Sequence, residues 1–210
     1  MKLIELSLEG FVNELAGSSP APGGGSTAAM EGAFGSGLIA MVCELTLGNK
    51  KYEDCTETVS RIKEEAHRQK EVLLKTVDED TAAFNLVSDA FGMPKQTEEE
   101  KALRREAIQN GLKQCCLPPL QVMNAVNASL KLAEELIVRY NTSTASDLGT
   151  GILSLKTAGL GAYLNVLINV SGIKDEGYAT QKRQEAEELK KQLVDLADRL
   201  YGQIEAELAG

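Results

Sequence analysis

The apolar positions of this chain recur at helical spacing along most of its length. Val59, Ile62, Ala66, Leu73, Val77 and Phe84 fall near the 3.6-residue period in one long stretch, and Leu189, Leu193, Leu196, Leu200 and Ile204 do so in the last. The pattern predicts a short helix over 3–16 and a second that starts at Ser26 or Thr27 and ends at Leu47. A third covers about 55–91 and is stopped by Gly92-Met93-Pro94. A fourth opens on the capping box Thr97-Glu98-Glu99-Glu100 and reaches Cys115 or Cys116. Pro118-Pro119 break or kink it before the pattern resumes through Val122, Val126, Leu130, Ala133 and Ile137. A fifth helix is expected over about 146–170, and a last, amphipathic one from Asp175 to the end. With no strand-like alternation and no internal repeat, the expectation is one all-α domain over residues 1–210. Its long helices should run mostly antiparallel around a central helix of small residues.

That central helix is the second. Ala28, Gly32, Ser36 and Ala40 stand four apart, with Ala29, Ala33 and Gly37 beside them. Residues four apart share a helix face, so this face is nearly flat and lets another backbone come close, whether from the same chain or from a second copy.

Composition narrows the core and the partners. Hydrophobic residues are 43% of the 210, aromatics only 4% with no Trp, so Leu, Ile, Val and Ala must fill the interior. A formal net charge of -9 disfavours nucleic acid and anionic membranes as partners. Cys43, Cys55, Cys115 and Cys116 have no metal-ligand spacing and read as free thiols. The first residues carry Glu5 and Glu9 and no signal-like apolar run, and Glu31 and Glu44 interrupt 26–47 as a membrane span. A cytoplasmic location is expected.

The chemistry candidates begin with Pro22-Gly23-Gly24-Gly25-Ser26. No Lys-Ser/Thr follows and no strand precedes, so neither a Walker nor a Rossmann loop fits. Successive bare amides and a helix N-terminus suit an anion or a carbonyl oxygen; a plain flexible turn is the other reading. Asp147, three residues after Thr144, is a candidate acid or simply a helix cap. Asn165 and Asn169, four apart on an apolar helix, either bond a neighbouring helix or grip a heterocycle. Asp147 and Asn165 lie eighteen residues apart, roughly 27 Å along one helix, so only a long ligand or a second subunit could involve both. Asp80 could be buried with a raised pKa. His67, the one histidine, lies in a charged stretch and is set aside as a base, and no metal site is expected.

Taken together, these residues resemble a known family. The carriers are Pro20-Ala21-Pro22-Gly23-Gly24-Gly25-Ser26, the joint from Leu45-Thr46 to Lys50-Lys51-Tyr52, and Asp80 with Ala83-Phe84. Met93-Pro94 before Glu98–Lys101, Asn141 with Ser146-Asp147-Leu148-Gly149, and Asn165-Val166 with Ile168-Asn169 complete the set. The chain is similar to the cyclodeaminase domain of formiminotransferase-cyclodeaminases and to stand-alone methenyltetrahydrofolate cyclohydrolases. One departure is Cys115-Cys116-Leu117-Pro118-Pro119, where the family has Val-Pro-Leu.

The resemblance implies an all-helical homodimer, or an oligomer of dimers, acting on a one-carbon tetrahydrofolate with no metal and no cofactor beyond that substrate. It implies Asp147 or Asp80 as proton carrier. Pro22, Gly23, Gly24, Gly25, Ser26, Lys50, Tyr52, Asn141, Asn165 and Asn169 would bind substrate, with Lys50 or Lys51 attracting a mono- or polyglutamylated tail. The competing class is a non-catalytic helical oligomerisation or anion-binding protein.

Overall fold

The computed structural model describes residues 2–210. A 3-10 turn (Leu3–Glu5) leads into α1 (Leu8–Leu15), so the single first helix expected over 3–16 is divided. Ser7 explains the division: its hydroxyl accepts the Gly10 amide at 3.0 Å and caps a fresh start. The remaining helices are α2 (Gly24–Leu47), α3 (Thr56–Gly92), α4 (Glu98–Cys115), α5 (Leu117–Leu136), α6 (Ala145–Ser171) and α7 (Glu176–Ala209). No strand occurs among the described residues. The Thr97 capping box forms as expected. Pro118 and Pro119 stand in the first turn of α5, where a missing amide costs nothing, so they begin a helix instead of kinking one.

The small-residue helix α2 is central and packs against α3, α5 and α6. Ala28, Ala29, Gly32, Ala33, Ser36 and Ala40 are all buried on it. It runs antiparallel to α6, with Gly24 beside Asn165 at one end and Gly35 beside Gly151 in the middle. At that crossing the two backbones touch: a Cβ on Gly35 would lie 2.8 Å from the Gly151 carbonyl, and one on Gly151 3.2 Å from the Gly35 carbonyl. Ser36 and Ser129 hydroxyls bond each other at 2.8 Å across the α2–α5 contact, satisfying the polar atoms buried there. Around this axis Ile39, Ile62, Leu73, Met123, Leu130, Leu148, Ile152, Leu155, Leu193 and Leu200 build an aliphatic core.

Two stretches, Gly24–Leu47 and Thr142–Ser171, are long and apolar enough by length and composition to cross a bilayer. In this fold they form the paired helices α2 and α6. Each also keeps an outward apolar stripe, Phe34, Met41 and Leu45 on α2 and Leu153, Leu164 and Ile168 on α6.

The Gly35–Gly151 crossing yields a stability prediction. Gly35→Ala forces a methyl into a backbone carbonyl and is expected to cost about 1–3 kcal/mol. Gly202→Ala, on α7 with nothing within 4 Å of the added Cβ, is expected to gain up to about 1 kcal/mol of helix propensity. Urea denaturation of both variants checks this, and equal midpoints would remove the close-approach argument.

Candidate active site

The start of α2 needs a partner for its free amides, since Gly23 at the N-cap has no side chain to offer. That partner arrives from α3. The Asp80 carboxylate lies over the first turn, and a Cβ on Gly25 would come within 2.1 Å of Asp80 Oδ1. Gly25 is bare because a carboxylate sits on it. Gly24 is bare for a milder reason, its missing Cβ lying 3.2 Å from Asn165 Nδ2. Helix α2 therefore begins at Gly24, two residues ahead of the Ser26 or Thr27 cap expected from side-chain preference.

Ser26 is fully buried, with its hydroxyl 2.9 Å from Asp80 Oδ2, 3.1 Å from the Val77 carbonyl and 3.2 Å from Thr81 Oγ1. Its side chain thus faces Asp80 and not the cavity, contrary to the expected substrate contact. Burial pushes the Asp80 carboxyl above its ordinary value, and hydrogen bonds from the Ser26 side chain and backbone pull the other way.

Beside this carboxylate opens a cavity of about 230 Å³. Gly23, Gly24, Gly25, Asp80, Asn165 and Asn169 line it together with Pro20, Ala21, Phe84, Cys115 and Ile168. Asn165 Nδ2 donates to the Gly161 carbonyl at 2.9 Å and Asn169 Nδ2 to the Cys115 carbonyl at 2.7 Å. Each amide nitrogen keeps a second N–H, so the two side chains offer a donor as well as an Oδ1 acceptor. No lysine or arginine lines the cavity. The protein's own Asp80 carboxylate lies against the first turn of α2, where an anion or a carbonyl oxygen was the expected occupant. A carboxylate with no basic side chain beside it favours a cationic group. Local sequence does not mark Cys115 or Ile168 as lining residues: the C-terminus of α4 and the outer part of α6 reach the cavity only through tertiary packing. Pro22 is buried in the loop outside the lining.

The other expected residues gather at the opposite end of α2 and α6. Asn141 joins α2 to the start of α6, its amide donating to Thr46 Oγ1 at 2.9 Å and its Nδ2 to the Leu45 carbonyl at 3.3 Å. The Tyr52 hydroxyl accepts the Thr142 amide at 3.4 Å, which holds the phenol below its usual range. Tyr52 and Lys51 line a second cavity, of about 390 Å³; Lys50 is exposed. Asp147 is the third residue of α6 and half-buried. The Thr144 hydroxyl bonds the Asn141 carbonyl at 2.7 Å, so Thr144 and Asp147 do not form a capping box. Within one chain the candidates form two groups separated by the length of α6. His67 is exposed and the four thiols are free. Among the described residues no cluster of three His, Cys, Asp or Glu is placed to hold a metal.

Comparison with known proteins gives a consistent picture. Residues 7–188 match the family model described as formiminotransferase-cyclodeaminase. The chain is 35% identical over 202 residues to a methenyltetrahydrofolate cyclohydrolase of Methylorubrum extorquens, covering 96% of this chain and 97% of that protein. It is 34% identical over 204 residues to the formimidoyltransferase-cyclodeaminase of Mus musculus, covering 97% of this chain but only 38% of that protein. The crystal structure of formiminotetrahydrofolate cyclodeaminase from Thermotoga maritima superposes with a TM-score of 0.88 at 28% identity, covering 99% of this chain and 100% of that one.

The electrostatics of Asp80 are testable through stability. Its folded-state pKa is raised, so its contribution is full where it is protonated and falls as pH rises from the unfolded value through the folded one. Asp80→Asn, which cannot ionise, is expected to melt no lower than wild type at pH 7. The difference between the two should shrink on acidification. Thermal melts between pH 7 and pH 4 measure it, and a lower Tm for the variant at pH 7 contradicts the assignment.

Proposed function

We propose, starting from the fact that the chain belongs to the formiminotransferase-cyclodeaminase family, that the cavity over the first turn of α2 holds the one-carbon unit of a tetrahydrofolate and that Asp80 carries the proton. The chain is an enzyme of one-carbon folate metabolism, and the reading favoured here is methenyltetrahydrofolate cyclohydrolase. The relative matched over almost its full length bears that name. Water adds to the cationic carbon that joins N5 and N10 and gives one proton to Asp80. The tetrahedral carbon then expels N5, which takes that proton back, while the new hydroxyl loses its own to solvent. The products are 10-formyltetrahydrofolate and one net proton.

One observation carries the reading: a half-buried carboxylate whose proton affinity is raised lines, beside two asparagines, a cavity without a lysine or arginine. That environment suits a delocalised cation and the proton transfer that discharges it. Neither this reaction nor cyclodeamination changes the oxidation state of the carbon, so the proposal calls on no cofactor beyond the folate. Cyclodeaminase activity is the second reading, favoured by the Thermotoga maritima structure matched over its whole length. There N10 attacks the formimino carbon, the N10 proton passes to the former imino nitrogen, and protonated Asp80 gives that nitrogen a second proton, so that it leaves as ammonia.

The cavity takes a pterin-sized head and leaves the rest of a folate outside. The proposal places that remainder across the outward face of α2 and α6, covered by a second copy of the chain. Phe34, Met41 and Leu45 with Leu164 and Ile168 supply the apolar stripe for such a contact. A twofold axis perpendicular to these helices would bring the partner's far end against the cavity, and with it a second Lys50, Tyr52, Asn141 and Asp147. The four free cysteines fit a reducing cytoplasm.

Three measurements test this. Purified protein is expected to consume the methenyl chromophore and to form it from 5-formiminotetrahydrofolate more slowly; silence with both substrates refutes the enzyme reading. Gly25→Ala, which displaces Asp80, is expected to lower turnover about 100-fold or more in a protein that still folds by circular dichroism, whereas wild-type kcat would acquit the carboxylate. Asp80→Asn and Asp147→Asn subunits, each inactive alone, are expected to regain about a quarter of wild-type activity when reassembled at equal amounts, because one site in each mixed dimer is intact. No recovery would place both residues in one protomer's site or remove Asp147 from it.

A further inference from the structure

The proton carrier proposed above has a support that the reaction scheme does not use. Asp80 projects from α3, and its carboxylate is steered onto α2 by a second residue buried beneath it. The Ser26 hydroxyl lies within reach of Asp80 Oδ2 at 2.9 Å and the Val77 carbonyl at 3.1 Å, with Thr81 Oγ1 at 3.2 Å. A hydroxyl has one hydrogen, so Ser26 can give it to Asp80 or to Val77 but not to both. A hydrogen bond to an ionised group is the stronger one, so ionised Asp80 takes it, and the Thr81 hydroxyl adds a further contact to Ser26 Oγ that holds the serine in place.

We propose that Ser26 is a positioning residue, which with Thr81 holds Asp80 Oδ2 and so sets Oδ1 over Gly25, where it receives the proton. This rests on the reading of Asp80 as the proton carrier. It assigns Ser26 a role different from the substrate contact expected of its motif, and it explains a fully buried hydroxyl at the third residue of a helix, where a Ser side chain usually faces its own backbone. Gly25 and Ser26 then act as a pair. The glycine makes room for the carboxylate, and the serine fixes its rotation within that room.

The surroundings make the effect readable in a pH profile. The titratable group facing Asp80 from α4 is the Cys115 thiol, pushed up to about 11 chiefly by burial and neutral through the working range. From α2 and α6 come Ser26, Asn165 and Asn169, none of them charged. On α3 itself, Glu79 pairs with Lys75 at 2.8 Å and Asp78 accepts the Leu3 amide at 2.6 Å. Asp147 of a second copy is the other carboxylate proposed at the site, so the carboxyl titration of the substrate-free protein, beside the acid limb of turnover, assigns the shift to Asp80.

Losing a hydrogen bond to the ionised form raises the pKa of an acid. Ser26→Ala is expected to move the acid limb of kcat to higher pH and to lower kcat on the plateau on the order of tenfold, with KM nearly unchanged. Thr81→Val, which keeps shape and loses the donor, should move the limb the same way by less. In the Asp80→Asn background neither change should have a further effect on residual turnover. The titration of the Asp80 carboxyl carbon, followed by NMR in the substrate-free protein, gives a readout independent of activity and should shift upward in both variants. If Asp80→Asn retains wild-type turnover, the proton-carrier reading fails. If Asp80→Asn is inactive but both the limb and the NMR titration stay in place in Ser26→Ala and Thr81→Val, the positioning role fails by itself. Should Ser26→Ala not fold, Thr81→Val alone decides by the same two readouts.

Discussion

The structure depends at one point on a carboxylate from one helix resting on the bare first turn of another. Asp80 of α3 lies against Gly25 of α2 at a separation that no Cβ could share, and the amide end of α2 takes its cap from that long-range partner. The arrangement couples fold to chemistry. It secures the N-terminus of the central helix, and it keeps a partly desolvated acid at the wall of a cavity with its proton affinity raised. A side chain at Gly25 would restore an ordinary helix start and disperse the acid. The glycines are the cost of bringing main chain and carboxylate together.

The rest of the bundle holds that contact in place. Helices α2 and α6 meet through Gly35 and Gly151, backbone to backbone, which sets the height of Asn165 above Gly24. Asn165 and Asn169 are anchored through their nitrogens on carbonyls of α6 and of the α4 terminus, which fixes both side chains at the cavity wall. Each polar wall residue is fixed by a bond pointing away from the ligand space, the condition for a preorganised site.

Much of this was legible along the chain. The i, i+4 run of Ala28, Gly32, Ser36 and Ala40 marks a helix others approach closely, because periodicity alone assigns the face. The glycine run announced that bare backbone was needed. The reason was not legible: local chemistry suggests amides for an anion, whereas the occupant is Asp80, 55 residues further along than Gly25, and only tertiary packing brings it there. The same blindness explains Ser26. Its preference for an N-cap is intrinsic, but a carboxylate from α3 removed the need for one and drew the hydroxyl inward. The roughly 27 Å between Asp147 and Asn165 followed from helical rise, and the fold keeps them at opposite ends of α6. A cavity for the folate head and a distant polar cluster in one chain together motivate the two-subunit proposal.

The most direct measurement is a crystal structure of the protein with a stable methenyltetrahydrofolate analogue bound. The account expects the one-carbon unit about 3–3.5 Å from Asp80 Oδ1, with the pterin beside Asn165 and the tail crossing onto the α2–α6 face. An analogue ordered elsewhere, with Gly23–Gly25 and Asp80 untouched, would contradict it.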